Sequence, residues 1–151
     1  MKHEVMPVAT AGEVGSVLGG PAVLGHPIRS ADDLMQLVRE GLPYEALEAA
    51  VQRSRIGIER LTRAIGISRT TRSRRRNEGR FTPEESDRLC RFARVFAHAL
   101  DVFEEAQVAS QWFSSPIEAL GKEHPIELVE TDLGAQQVDE VLGRIEHGIT
   151  S

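Results

Sequence analysis

Thr82-Pro83-Glu84-Glu85-Ser86-Asp87-Arg88-Leu89 opens the stretch that decides the reading of this chain, and the stretch runs on to Phe113. Thr82 supplies a capping hydroxyl. Pro83 suits the first helical position, where its missing N–H leaves nothing unsatisfied, and Glu85 can reach back to complete a capping box. Behind this start, Leu89, Phe92, Phe96, Ala99 and Phe103 recur at alternating steps of three and four. That spacing draws one apolar stripe along a long helix whose other faces carry charge.

The helix separates two regions of opposite sign. Residues 53–80 hold ten Arg against two Glu, a net of +8, whereas residues 81–151 hold five Lys or Arg against fourteen Asp or Glu, a net of −9. The formal total of −5 argues against nucleic acid only if charge is spread evenly, and it is not: residues 1–52 contribute −4, so the positive excess lies in one window. Local charge decides partners more than the total does. A basic module and an acidic module joined by one helix suggest an adaptor with two jobs.

Cys90 is the only cysteine, which rules out an intrachain disulfide and fits a reducing cytosol. No apolar run of about 18 residues exists, so no membrane span is expected. Lys2, Glu4 and Glu13 with glycine-broken apolar stretches argue against a secretory signal. The chain reads as soluble and cytoplasmic, with no membrane partner.

The chain before the long helix divides in two. Residues 1–29 contain Gly12, Gly15, Gly19, Gly20, Gly25, Pro7, Pro21 and Pro27, a composition that makes helix costly, and they read as a flexible or irregular arm whose Val14, Val17, Leu18, Val23 and Leu24 could dock elsewhere. Ser30 is placed to cap a helix over about 31–40, with Leu34, Leu37 and Val38 on one face and Gly41 at its end. Pro43 then begins another, with Leu47 and Val51 one turn apart. In Gly57-Ile58-Glu59-Arg60-Leu61-Thr62-Arg63-Ala64-Ile65-Gly66-Ile67-Ser68, a short helical face of Ile58, Leu61 and Ile65 meets a glycine turn. Ser68 caps a second helix over about 69–77. Helix, tight turn, capped helix is the layout of a helix-turn-helix. In its DNA-binding form, early residues of the second helix face base edges while Arg and hydroxyl groups hold phosphates.

One feature cuts across that layout. Recognition helices bury apolar residues where this chain has Arg72 and Arg75, and Thr62 replaces a small apolar residue on the preceding helix. Burying an unpaired guanidinium is prohibitive. Either the second helix stands off from its neighbour, or these charges meet carboxylates of this chain or of a partner.

After the long helix, Glu104 to Phe113 continues helically or after a small bend, with Trp112 the expected anchor of an apolar cluster. Ser115-Pro116-Ile117-Glu118 reads as a second capping box before a short helix closed by Gly121. His124-Pro125 starts another short helix. Thr131 or Asp132 caps the last, whose expected buried stripe is Val138, Val141, Leu142 and Ile145. The class is all-α: a helix-turn-helix-like N-terminal module joined by a long helix to a small C-terminal helical module. The boundaries are 1–29 for the arm, 30–81 for the helix-turn-helix-like domain and 82–151 for the C-terminal domain.

Chemistry is not legible. His3, His26, His98, His124 and His147 form no pair at ligand spacing, and no Walker loop, dinucleotide fingerprint or nucleophile elbow occurs. His98 beside the apolar stripe is expected to be a partnered or surface histidine, and Cys90 a packing residue. No metal, cofactor or catalytic set is expected, and the chain reads as a binding protein rather than an enzyme.

A resemblance goes further. Thr82-Pro83-Glu84-Glu85-Ser86-Asp87-Arg88-Leu89, then Trp112, Pro116, Ala119-Leu120-Gly121, Pro125, Leu128 and Gly134-Ala135-Gln136-Gln137-Val138, closing with Leu142-Gly143-Arg144-Ile145-Glu146-His147-Gly148, resemble the Xre/MbcA/ParS-type antitoxins that pair with RES-domain toxins. The match covers roughly residues 55–151, and Arg72, Arg75 and Thr62 are where the chain departs from the family pattern. It implies a type II antitoxin that binds an NAD-consuming RES toxin through its C-terminal domain and blocks the active site. It also implies repression of a shared operon with the toxin, and a homodimer within a larger toxin–antitoxin assembly. Operator contacts would then fall to Arg69, Thr70, Thr71, Arg74 and Arg76, leaving Arg72 and Arg75 for ion pairs within or between subunits. Toxin contacts would fall to Arg144, Glu146, His147, Gly148, Ile149, Thr150 and Ser151, with Arg144 and Glu146 off the buried stripe. Without the resemblance, the same residues read as a frayed tail after a solvated last turn. The alternative function is a stand-alone helix-turn-helix transcriptional regulator.

Overall fold

The computed structural model describes residues 9–148, and every regular element among them is helical; two isolated bridges, Pro43 with Arg80 and Ile117 with Glu123, are the extended pairings among these residues. Ten α-helices follow in order: α1 (Ala11–Val17), α2 (Gly20–Leu24), α3 (Ala31–Glu40), α4 (Glu45–Ser54), α5 (Ile58–Ala64), α6 (Arg69–Glu78), α7 (Pro83–Phe103), α8 (Ala106–Phe113), α9 (Pro125–Leu128) and α10 (Asp132–Glu146). A single 3-10 turn, Glu118–Leu120, lies between α8 and α9.

α7 forms where its capping box predicts. Thr82 Oγ1 accepts from the Glu85 N–H at 3.1 Å, and Glu85 Oε1 accepts from the Thr82 N–H at 2.9 Å. Leu89, Phe92, Phe96 and Ala99 are fully buried, with Phe103 packed at the margin. The stripe is therefore the axis of the core, and α1, α3, α4, α8 and α10 all pack on it. Glu104 adopts the left-handed conformation at φ 69° and turns the chain into α8.

Several sequence expectations differ from the structure. Residues 9–28 are not an irregular arm: Thr10 and Glu13 make a reciprocal capping box at 3.1 and 2.7 Å, opening α1. Val14, Val17, Leu18, Leu24 and Ile28 are buried, and α1 packs directly on α7. Composition misled here because Gly19 and Gly25 sit at helix ends, where they terminate helices rather than weaken them. Pro43 does not start α4; it bridges to Arg80, and the helix begins at Glu45.

Another correction concerns the C-terminal anchor. Phe113, not Trp112, is fully buried, and it meets Phe92 and Phe96 edge-on at centroid distances of 5.6 and 5.4 Å. Trp112, one residue and about 100° around the helix, tilts against Phe103 instead. The Ser115–Glu118 capping box also does not form: the Ser115 hydroxyl donates to the Gln111 carbonyl, and Ile117 precedes the 3-10 turn without a side-chain cap.

The last helix differs as well. Thr131 caps α10, and Val138, Val141 and Leu142 are buried, but Ile145 is 39% exposed. The face turned to α7 carries Asp139, Leu142 and Glu146, at steps of three and four, so Ile145 rotates off it. Gly134 in the first turn is required by close approach. A Cβ there would lie inside van der Waals contact of the Leu128 carbonyl oxygen and 2.7 Å from its carbon.

Candidate functional site

The basic half is built on α5 and α6. Leu61, Ala64, Ile65 and Ile67 are buried, Gly66 takes the left-handed turn at φ 72°, and Ser68 Oγ accepts from the Thr71 N–H at 3.1 Å to start α6. Thr62 replaces an apolar residue without penalty because its hydroxyl donates back to the Ile58 carbonyl at 2.7 Å. No residue of α6 is buried, so the helix stands against its neighbours on arginine stems and ion pairs rather than on an apolar face.

Ion pairs satisfy Arg75 fully and Arg72 in part, since Arg72 Nη1 is buried with no hydrogen-bond partner among the described residues. Arg75 donates from Nε and Nη2 to the two oxygens of Glu85 at 2.7 and 3.0 Å, and from Nη1 to Glu78 at 3.1 Å. Arg72 Nη2 lies 3.7 Å from Glu59, which also meets exposed Arg69 at 3.3 Å. Burial alone would raise the Glu85 carboxyl, but the Arg75 guanidinium and the Thr82 N–H outweigh it and hold it below the usual carboxylate range. Glu85 thus caps α7 and anchors α6 at once. Its capping role was legible from the sequence. Its pairing with Arg75, ten residues earlier in another helix, had no local signal.

Of the candidate DNA contacts, Arg69, Thr70, Arg74 and Arg76 are exposed on α6, whereas Thr71 is half-buried with its hydroxyl 3.1 Å from Ser68 Oγ. Arg74 and Arg76 enter no ion pair among the described residues, which leaves them the freest cations on the helix. Exposed Arg63 on α5 adds to the same basic half, a residue that the reading of α6 alone passes over.

Residues of α7 spaced at three and four clamp both halves to it. Arg88 Nε donates to the Ile65 carbonyl at 2.7 Å, satisfying the open end of α5. One turn on, Arg91 reaches the Val129 and Glu130 carbonyls at 3.0 and 2.7 Å and Asp132 at 2.9 Å. Arg94 pairs with Asp139 at 2.8 Å, and the buried His98 holds Asp139 with Nδ1 at 3.0 Å. His98 is thus a partnered histidine. Burial lifts the Cys90 thiol to about 11, which suits packing rather than nucleophilic chemistry.

The candidate toxin contacts are distributed differently from the sequence reading. Arg144 is half-buried and lines a cavity of about 320 Å³ with Leu120, Gly121, Gln137 and Glu140. Glu146 does not simply face outward: its carboxylate turns to His98 Nε2 at 3.6 Å. His147 and Gly148 are exposed, and Ile149, Thr150 and Ser151 lie outside the described residues. Among the described residues no helix is long and apolar enough to cross a membrane.

Fold and comparisons together define a class. Residues 33–94 match the antitoxin Xre-like helix-turn-helix domain, and residues 98–148 match the antitoxin Xre/MbcA/ParS C-terminal toxin-binding domain. The chain is 38% identical over 130 residues to the antitoxin Xre of Yersinia enterocolitica serotype O:8 / biotype 1B, spanning 85% of this chain and 88% of that protein. It is equally similar, with the same coverage, to the antitoxin Xre of Photorhabdus laumondii subsp. laumondii. The antitoxin Xre of Pseudomonas putida is 40% identical over 80 residues, covering 53% of this chain and 50% of that one. These are regulatory binding proteins rather than enzymes. The chain belongs to the Xre antitoxin family.

Proposed function

We propose that this chain is the antitoxin of a type II pair. It acts in the cytoplasm, neutralises an NAD-consuming RES-domain toxin by covering its active site, and as a homodimer within a larger assembly represses the shared operon. The observation that carries this reading is the single helix α7, which holds the basic helix-turn-helix on one side and the toxin-binding-family module on the other. The acidic C-terminal half suits a pocket equipped to hold an anionic dinucleotide. Arg144, Glu146, His147, Gly148 and the terminal Ile149, Thr150 and Ser151 are assigned to that contact. Cells co-expressing a RES toxin with the full chain should keep their NAD, and cells carrying the chain truncated after Glu146 should lose it. Equal NAD in both removes the tail from the inhibitory contact.

Operator binding is assigned to Arg69, Thr70, Arg74 and Arg76, with Thr71 holding the start of α6. Each phosphate contact contributes about 0.9 to the slope of log affinity against log salt. Arg74→Ala should therefore lower that slope by roughly one and weaken binding across all sequences. A mobility shift at low and moderate salt reads this directly. Salt-independent binding would remove α6 from the interface. Binding by the chain with no toxin partner in the genome would favour the stand-alone regulator.

A further inference from the structure

His98 is 2% exposed, sits on α7 and faces the C-terminal end of α10. Its Nδ1 is 3.0 Å from Asp139 and its Nε2 3.6 Å from Glu146, seven residues further along α10. Nε2 is buried and has no hydrogen-bond partner within reach among the described residues. We propose that His98 is a positioning residue: as an imidazolium it pins the last turn of α10, with Arg144 and His147, against α7 by holding Asp139 and Glu146 together. Toxin contact by that turn rests on the function proposed above; the pin itself is a property of the free chain.

The chemistry favours the charged ring. A neutral imidazole has one N–H, so donating to Asp139 leaves a lone pair aimed at the Glu146 carboxylate. An imidazolium donates to both. Asp139 is independently held by Arg94 at 2.8 Å, so Glu146 is the group that depends on the second proton. Glu146 also lies in the last turn of a helix, where the backbone dipole opposes a negative charge, and a facing cation offsets this. The remaining charged group of α7 near the ring is Asp101, pushed up to about 6 by burial and by the Glu13 carboxylate of α1.

The sign follows from these groups. Burial works against the charged ring, but Asp139 and then Glu146 outweigh it and hold His98 above its ordinary 6.5. The pin is therefore complete below that ordinary value and is released as pH rises through the higher folded-state value. On the acid side, burial of Asp139 is outweighed by His98 and Arg94, which hold its carboxyl below the usual range, so the Asp139 contact is lost only as pH falls through that lowered value.

Residue-resolved hydrogen exchange and ring-nitrogen titration of the free full chain test this. At pH 6, His98→Gln should speed exchange of amides 143–147 by about tenfold, with α7 unaffected. After correction for intrinsic rates, that difference should vanish above the His98 titration point. Glu146→Gln should bring the His98 titration back toward its ordinary value. The proposal is overturned if His98 titrates at or below 6.5, if Glu146→Gln leaves it unmoved, or if His98→Gln loosens α7 and α10 alike at every pH. Toxin affinity is measured separately. A native chain that binds no toxin defeats the proposed function, while the exchange data still judge the pin.

Discussion

Phe92→Ala is expected to cost about 3–5 kcal/mol, the range for emptying a fully buried phenylalanine site. Phe92 has no exposed surface, stacks on Phe96 at 5.8 Å and meets Phe113 edge-on at 5.6 Å. The three rings join α7 to α8 within the buried core, where close packing lets the surroundings fill such a void only in part. For a chain of this size the melting temperature should fall by roughly 10–15 °C. A single circular-dichroism transition should shift, with DNA binding and toxin neutralisation lost together on warming. Two separated transitions, one unmoved, would show that the halves do not share a core. The matching control is Val108→Ala, whose side chain is 40% exposed on α8 and should change little.

Gly134→Ala is the second large effect, and it should be local. The added methyl would push α10 off the Leu128 carbonyl, and overpacking of this kind costs about 1–3 kcal/mol. The atoms met most closely are those of the Leu128 backbone carbonyl, which cannot yield as the end of a flexible side chain would, so the upper end is expected. The strain falls between α9 and α10, far in sequence from α5 and α6. Toxin neutralisation should weaken while the salt-dependent DNA mobility shift at room temperature is retained. An alanine variant with unchanged melting temperature and unchanged neutralisation would mean that α9 and α10 separate freely, against the packing described. Gly134→Ser would not rescue, because its Cβ meets the same oxygen.

Much of the architecture was legible from local chemistry. Thr82, Ser30, Ser68 and Thr131 each cap the helix that the sequence predicts, and the steps of three and four from Leu89 to Ala99 mark the core face. The glycine turn at Gly66 and the family pattern over the C-terminal half were equally readable. The candidate contact surfaces were less so. Periodicity puts Arg144 and Glu146 off the buried stripe, but Arg144 is half-buried beside a cavity and Glu146 turns to His98. Rotation about a helix end depends on what the neighbouring helix presents, and periodicity does not report it.

Capping, turn geometry and apolar spacing act within about four residues, so the sequence by itself determined the starts of α3, α6, α7 and α10 and the split between basic and acidic halves. Tertiary structure decided which charges neutralise one another: Arg75 with Glu85, Arg72 with Glu59, His98 with Asp139 and Glu146. It also decided that residues 10–28 dock on α7 rather than trail from it. The reason is the same in each case. A buried charge or a glycine-rich segment is stable only against a partner, and the partner lies in another element that no local window contains.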